Sequence, residues 1–201
     1  MKIQIFGPPR SGTTSLYEAL RDNINYTMGL FEPLNPGMCY KINKKKKKIN
    51  HLNIINNCKI NIIEKNVITE NPLHISDTQY QKILTSYKLY FNSFDKLIFL
   101  VRKNVEESAK SLAIAKAFQN WHQPYKDVNI DYTSLLPLIK SFNQIMEDLS
   151  EHYNIPLIYY ENLYSGNLNY INSFLKYYNI KLHNPQGFYT KLNPKNRLKH
   201  F

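Results

Sequence analysis

Cysteine is nearly absent from this chain. Cys39 and Cys58 are the only two, too few for a disulfide framework, and neither belongs to a C-x-x-C pair or a Cys/His cluster. Both read as free thiols, and no metal site is expected. Long apolar runs are missing as well: none approaches the ~20 residues that a membrane-spanning helix needs. The start does not read as a secretory leader, because strand-like alternation begins at Lys2-Ile3-Gln4-Ile5-Phe6. The expectation is a cytoplasmic protein. Acidic residues are scarce, 15 against 26 lysines and arginines, for a formal charge of +11. Lys44–Lys48 supplies five of those charges in one run, leaving +6 on the rest. The run has no arginine beside it and only Tyr40 as an aromatic, so base stacking has little support and nucleic acid is not the expected partner. It reads as a solvated loop. The remaining positive excess suits a protein that binds a polyanionic small molecule.

Composition is otherwise that of a globular protein, and 201 residues suit one domain better than two. The pattern alternates strands with helices. Residues 2–6 read as a buried strand and Thr13 to about Arg21 as a helix, with Leu16 and Leu20 at i, i+4 spacing. Tyr26–Phe31 is a short strand. Residues 38–65 read as an irregular insertion, a lid or a weak hairpin. Asn66–Glu70 reads as a strand, and Ser76 or Asp77 caps a helix to about Phe94. Lys96–Arg102 is the clearest strand, and its continuous apolar run suits a central parallel position. Asn104 caps the next helix, to about Asn120, with Val105, Ala109, Leu112 and Ala113 as its buried stripe. A helix over about Ser134–Tyr153, a strand over Ile155–Tyr160, a helix over Leu168–Tyr178 and a basic tail over residues 186–201 complete the chain. This order predicts a single domain: a three-layer α/β/α sandwich with a mostly parallel central sheet and a P-loop-like phosphate-binding loop. Such sheets bind ligands at the carboxyl ends of their strands.

That loop is Gly7-Pro8-Pro9-Arg10-Ser11-Gly12-Thr13-Thr14, which fits G-x-x-x-x-G-x-[ST]. A nucleotide-hydrolysing P-loop carries lysine after its second glycine, to reach the β- and γ-phosphates. Here Thr13 stands there. Backbone amides at a helix start still grip a phosphate, and Arg10 offers a guanidinium suited to a terminal phosphate or bridging oxygen.

The motif resembles the 5′-phosphosulfate loop of sulfotransferases, the family that moves a sulfuryl group from 3′-phosphoadenosine 5′-phosphosulfate (PAPS) to an alcohol, phenol or amine. Pro9-Arg10-Ser11-Gly12-Thr13-Thr14-Ser15-Leu16 meets every fixed position of P-R-S-G-T-T-x-L. The family's second signature is an arginine ending a strand, then a serine on the following helix; both hold the 3′-phosphate of PAPS. Arg102 supplies the first. The family serine usually lies eight residues on, where this chain has Lys110, with Ser108 and Ser111 beside it. The resemblance assigns this role to Ser111, with Ser108 or Lys110 as substitutes. Asn104 replaces a common family proline. Tyr160-Glu161-Asn162-Leu163 resembles a late Y-E-D-L turn whose role is architectural. Lys191, Lys195 and Arg197 fall where relatives place a loop over the adenine.

The resemblance implies PAPS as donor, no metal, and a hydroxyl-bearing acceptor (or an amine) on a glycan, a tyrosine or a small molecule. In-line sulfuryl transfer needs a cation at the leaving phosphate and a base at the acceptor hydroxyl. Arg10 suits the first role, with Ser11, Gly12, Thr13 and Thr14 completing the cradle. Glu32, directly after the second strand, is the expected base, with Glu70, His74 and His122 as other candidates and Trp121 and Tyr125 as possible cleft residues. A P-loop nucleoside or nucleotide kinase and a catalytically inactive binding protein of this fold are the alternative readings.

Overall fold

Five strands, β1 (Lys2–Gly7), β2 (Thr27–Phe31), β3 (Asn61–Val67), β4 (Lys96–Val101) and β5 (Ile158–Tyr159), form one sheet in the order β2-β3-β1-β4-β5. Every pairing is parallel. The computed structural model describes residues 1–34, 55–68, 71–73, 75–118 and 129–193. Cys39, Lys44–Lys48, Glu70, His74, Trp121, His122, Tyr125, Lys195 and Arg197 lie outside them.

Strand alternation divides the core in two. Ile3, Ile5, Ile63, Ile98 and Leu100 pack against α1 (Thr13–Asn23), whose Leu16, Ala19 and Leu20 are fully buried. Phe6, Leu97, Phe99 and Val101 face the other way, toward α2 (Asp77–Phe91), α3 (Val105–Phe118) and α4 (Leu136–Tyr153). The apolar run of β4 is thus shared between both layers, as a central strand requires. The α/β architecture and the parallel sheet agree with the sequence reading, and helices on both faces make the arrangement consistent with a three-layer sandwich.

Helix starts follow their caps. Ser76 and Gln79 form a reciprocal capping box at α2. Asn104 Oδ1 accepts from Glu107 N at 3.0 Å at the start of α3. Glu161 adds a second support there, its two carboxylate oxygens accepting from the Lys103 and Asn104 amides at 3.1 Å each. A carboxylate on a helix N-terminus is a favourable pairing of charge with dipole. Glu161 belongs to the one-turn helix α5 (Tyr160–Leu163) that directly follows β5. Glu161 thereby joins α5 to the start of α3.

Three expectations need correction. The third strand spans Asn61–Val67, not 66–70, because its carboxyl half buries Glu64, Lys65 and Asn66 and so lacks the apolar signature of a strand. The last strand is only Ile158–Tyr159, since α5 begins at Tyr160. Residues 185–192 are not a solvated tail. After α6 (Leu168–Tyr177), Asn184 caps α7 (Pro185–Leu192), accepting from Gly187 N at 2.9 Å. Its Phe188 and Leu192, at i and i+4, are fully buried in the α1 layer. Lys191 lies on that helix and is paired with Asp22 of α1, so its charge is already engaged. Among the described residues no helix is long and apolar enough to cross a membrane.

The placement of α7 is directly testable. Phe188→Ala should lower the unfolding free energy by about 3–5 kcal/mol in denaturant titration. A solvated tail would leave it unchanged.

Candidate anion-binding site

The loop between β1 and α1 is shaped by close approach. A Cβ on Gly7 would stand 2.1 Å from the Leu100 carbonyl oxygen, so only glycine lets β1 end this near β4. Ser11 N then donates to Pro8 O at 3.3 Å to close a turn. Arg10 adopts φ +69°, left-handed for a residue with a side chain, and Gly12 follows at φ +89°. The Arg10 conformation costs roughly 1–2 kcal/mol. Strain of this kind is held in place by its surroundings, and here two tyrosines supply them. Tyr164 OH donates to Gly12 O at 2.8 Å. The Tyr160 ring fills the space a Gly12 Cβ would take, 2.6 Å from that position.

The helix that follows opens without a side-chain cap and has no acidic residue in its first turn. Its leading amides and dipole therefore face the loop uncompensated. Thr13 is buried and Thr14 half-buried at its start. Ser11 is 2% exposed, yet its Oγ has no hydrogen-bond partner among the described residues. A buried hydroxyl with no partner among the described residues, at an uncapped helix start, can donate to an anion.

Two further expected residues converge on this loop from the β4–α3 unit. Arg10 Nε donates to Ser111 Oγ at 2.9 Å, joining the loop to α3. Arg102, just past β4, lies with its guanidinium carbon 4.0 Å from the centre of the Tyr160 ring. The aromatic face holds the cation by its quadrupole. Arg102 Nε has no hydrogen-bond partner among the described residues, and its contact with Glu107 is long at 3.7 Å. Ser108 is buried inside the α3 packing, one turn from Ser111. Lys110 is half-buried on α3, with no described hydrogen bond or ion pair to the loop. A crevice of about 360 Å³ opens beside Arg102, lined also by Lys103, Asn143, Glu147 and Tyr159. A larger hollow, about 700 Å³, follows α2 at Asp77, Gln81 and Thr85 and includes none of these residues.

Glu32 stands at the end of β2, at φ +47°, with its amide donating to Lys65 O at 2.6 Å. Its carboxylate is paired with the Lys65 ammonium, which also lies 4.5 Å from the Phe31 ring centre. The Lys65 side chain is 3% exposed. Burial pushes this ammonium below its ordinary range; Glu32 and Glu18 oppose that shift, and Arg10 adds to it through like-charge repulsion. Arg10 and Lys65 thus act on one another electrostatically. Sequence reasoning did not find Lys65. The available signal was Ile60, Ile62 and Ile63 leading into Glu64-Lys65-Asn66, a strand whose carboxyl end carries charge.

Two cationic positions, an uncapped helix start and an ion-paired carboxylate therefore lie along the carboxyl edge of the sheet. Among the described residues no cluster of three or more His, Cys, Asp or Glu side chains could hold a metal. The chain matches no model of a known protein family, and no curated protein matches it.

Removing one member of a buried ion pair costs about 3–5 kcal/mol, because the other charge is stranded. Lys65→Met should lose stability on that scale in chemical denaturation. Adding Glu32→Gln should return more than half of the loss, and the double-mutant cycle measures the coupling.

Proposed function

We propose that this protein is a PAPS-dependent sulfotransferase that transfers the sulfuryl group to a hydroxyl of a glycan, a tyrosine or a small molecule. The observation that carries the reading is the loop: a buried, unpartnered Ser11 hydroxyl and an uncapped helix start, with Arg10 where it can meet a leaving phosphate. The threonine at position 13 removes the point charge that a triphosphate needs and leaves a cradle of amides and hydroxyls. The donor set fits a phosphosulfate with a second phosphate: the loop for the 5′ end, and the unpaired Arg102 Nε for the 3′ end.

PAPS would supply an activated sulfuryl group and a phosphate leaving group. The chain's part is to bind, align and balance charge. Attack by the acceptor oxygen forms the new S–O bond as the S–O bond to the 5′-phosphate breaks. Glu32 takes the acceptor proton, and Lys65 holds its carboxylate in place. The electron pair passes to the phosphate oxygen, where Arg10 and the Gly12–Thr14 amides oppose the developing charge. Ser111 fixes Arg10 through Nε. Arg102, supported from beneath by Tyr160, anchors the far phosphate.

Calorimetric titration with 3′-phosphoadenosine 5′-phosphate, beside ATP with Mg²⁺, tests this. The expected result is micromolar binding of the former, weak binding of ATP, and loss of binding in Arg102→Ala. With an acceptor identified, Arg10→Ala should lower turnover by about 10²–10³ and change donor affinity far less. Preference for ATP would move the protein to phosphoryl transfer. Arg10→Ala at the parent rate would refute the role given to Arg10.

A further inference from the structure

β3 carries a second buried acid that the transfer chemistry does not use. Glu64 is fully buried on the sheet face opposite Lys65. Its Oε1 accepts from Asn66 Nδ2 at 2.5 Å and from the Tyr90 hydroxyl of α2. Its Oε2 has no partner among the described residues. The β1–β3 register sets Gln4 directly across from Glu64, on the same face. Gln4 is also fully buried. Its Nε2 donates to Ile5 O at 3.0 Å, which fixes the orientation of the amide. Its Oε1, like Glu64 Oε2, has no partner among the described residues.

Two buried acceptors on registered neighbours, each lacking a donor, are expensive as they stand. An ionised carboxylate would add a desolvated charge to that cost. A single proton between them satisfies both. The groups that act on the carboxyl are the Tyr90 hydroxyl from α2 and the Asn66 amide on its own strand. β1 presents Gln4 and β2 presents Leu30 in register. None of these is a cation that would offset an ionised carboxylate.

We propose that Glu64 is held as a neutral carboxylic acid whose Oε2–H donates to Gln4 Oε1, and that this proton ties β1 to β3 and steadies the segment carrying Glu32. The tie reaches that segment through Asn66: its Nδ2 is engaged by Glu64 and its Oδ1 accepts from Leu34 N at 3.0 Å. The inference does not depend on the transfer reading, because no ligand enters it.

Burial also pushes the Glu64 carboxyl up, to about 7. The folded state then holds the proton more tightly than the unfolded chain, whose glutamates titrate near ~4.3. Stability is full below the ordinary glutamate range, falls as pH rises, and has lost this contribution once pH passes the folded value.

Glu64→Gln is the test, since its amide donates toward Gln4 at any pH while its oxygen still accepts. The wild-type unfolding constant should rise up to about tenfold per pH unit between roughly pH 5 and 7 relative to Glu64→Gln. The variant should be the more stable protein at alkaline pH. Hydrogen exchange at the Leu34 amide should lose protection across neutrality in the wild type and keep it in the variant. If the variant does not fold, the ¹³C shift of the wild-type Glu64 carboxyl decides directly: a protonated signal at pH 5.5 to 6 is expected. An ionised signal there, or the same pH dependence in both proteins, overturns the proposal.

Discussion

Burial of three consecutive polar residues on one strand governs the carboxyl edge of this sheet. Glu64, Lys65 and Asn66 are all within 2% of full burial. Alternation sends Lys65 to the α1 face and its two neighbours to the other. Each must find a partner or cost several kcal/mol, and the partners lie on α2 and on the segment that follows β2. Lys65 reaches Glu32 beyond β2, Glu64 reaches Tyr90 of α2, and Asn66 reaches the Leu34 amide. Strand β2 is an edge strand with no fully buried residue. It is therefore held less by apolar area than by the demands of the strand beside it. This is also why Glu32 has a defined position at all.

On the other side of β1 the organising force is steric. Gly7 lets two backbones meet, Gly12 leaves room for a tyrosine ring, and the Arg10 backbone turns left-handed between them. The α5 turn then serves two ends of the site. Tyr160 and Tyr164, with ring centres 4.6 Å apart, cover the loop and support Arg102, while Glu161 occupies the start of α3. With that helix start already taken by a carboxylate, the start of α1 is left as the one of the two without a side-chain cap.

How much was legible in the sequence follows the same division. The glycine loop, the apolar β4 and the capped helices could be read because each is written in local chemistry: Gly7 and Gly12 at fixed spacing, Lys96–Val101 without interruption, Ser76 with Gln79. Arg10 could be singled out for the same reason, whereas Arg102 and Ser111 were picked out by the resemblance; the fold brings Arg10 and Ser111 into contact. What could not be read depends on partners far away. Lys65 looks like a surface residue until β2 and Glu32 are placed beside it. Glu64 breaks the strand pattern unless Tyr90 is known to await it. Helix α7 has few apolar residues, and its existence rests on Phe188 and Leu192 finding the face of α1.

The hydrogen bond from Tyr164 to Gly12 spans 152 residues of chain. The loop motif is thus synthesised well before its clamp. Non-local closure of this kind is slow, because loop entropy is spent before any contact rewards it. A nascent chain carries the glycine signature long before it carries the folded loop. Until β5 and α5 join the sheet, Arg102 lacks its aromatic support and the start of α3 lacks its carboxylate. The geometry of this loop is a late product of folding, reporting on the whole assembled sheet and not on the motif that announces it.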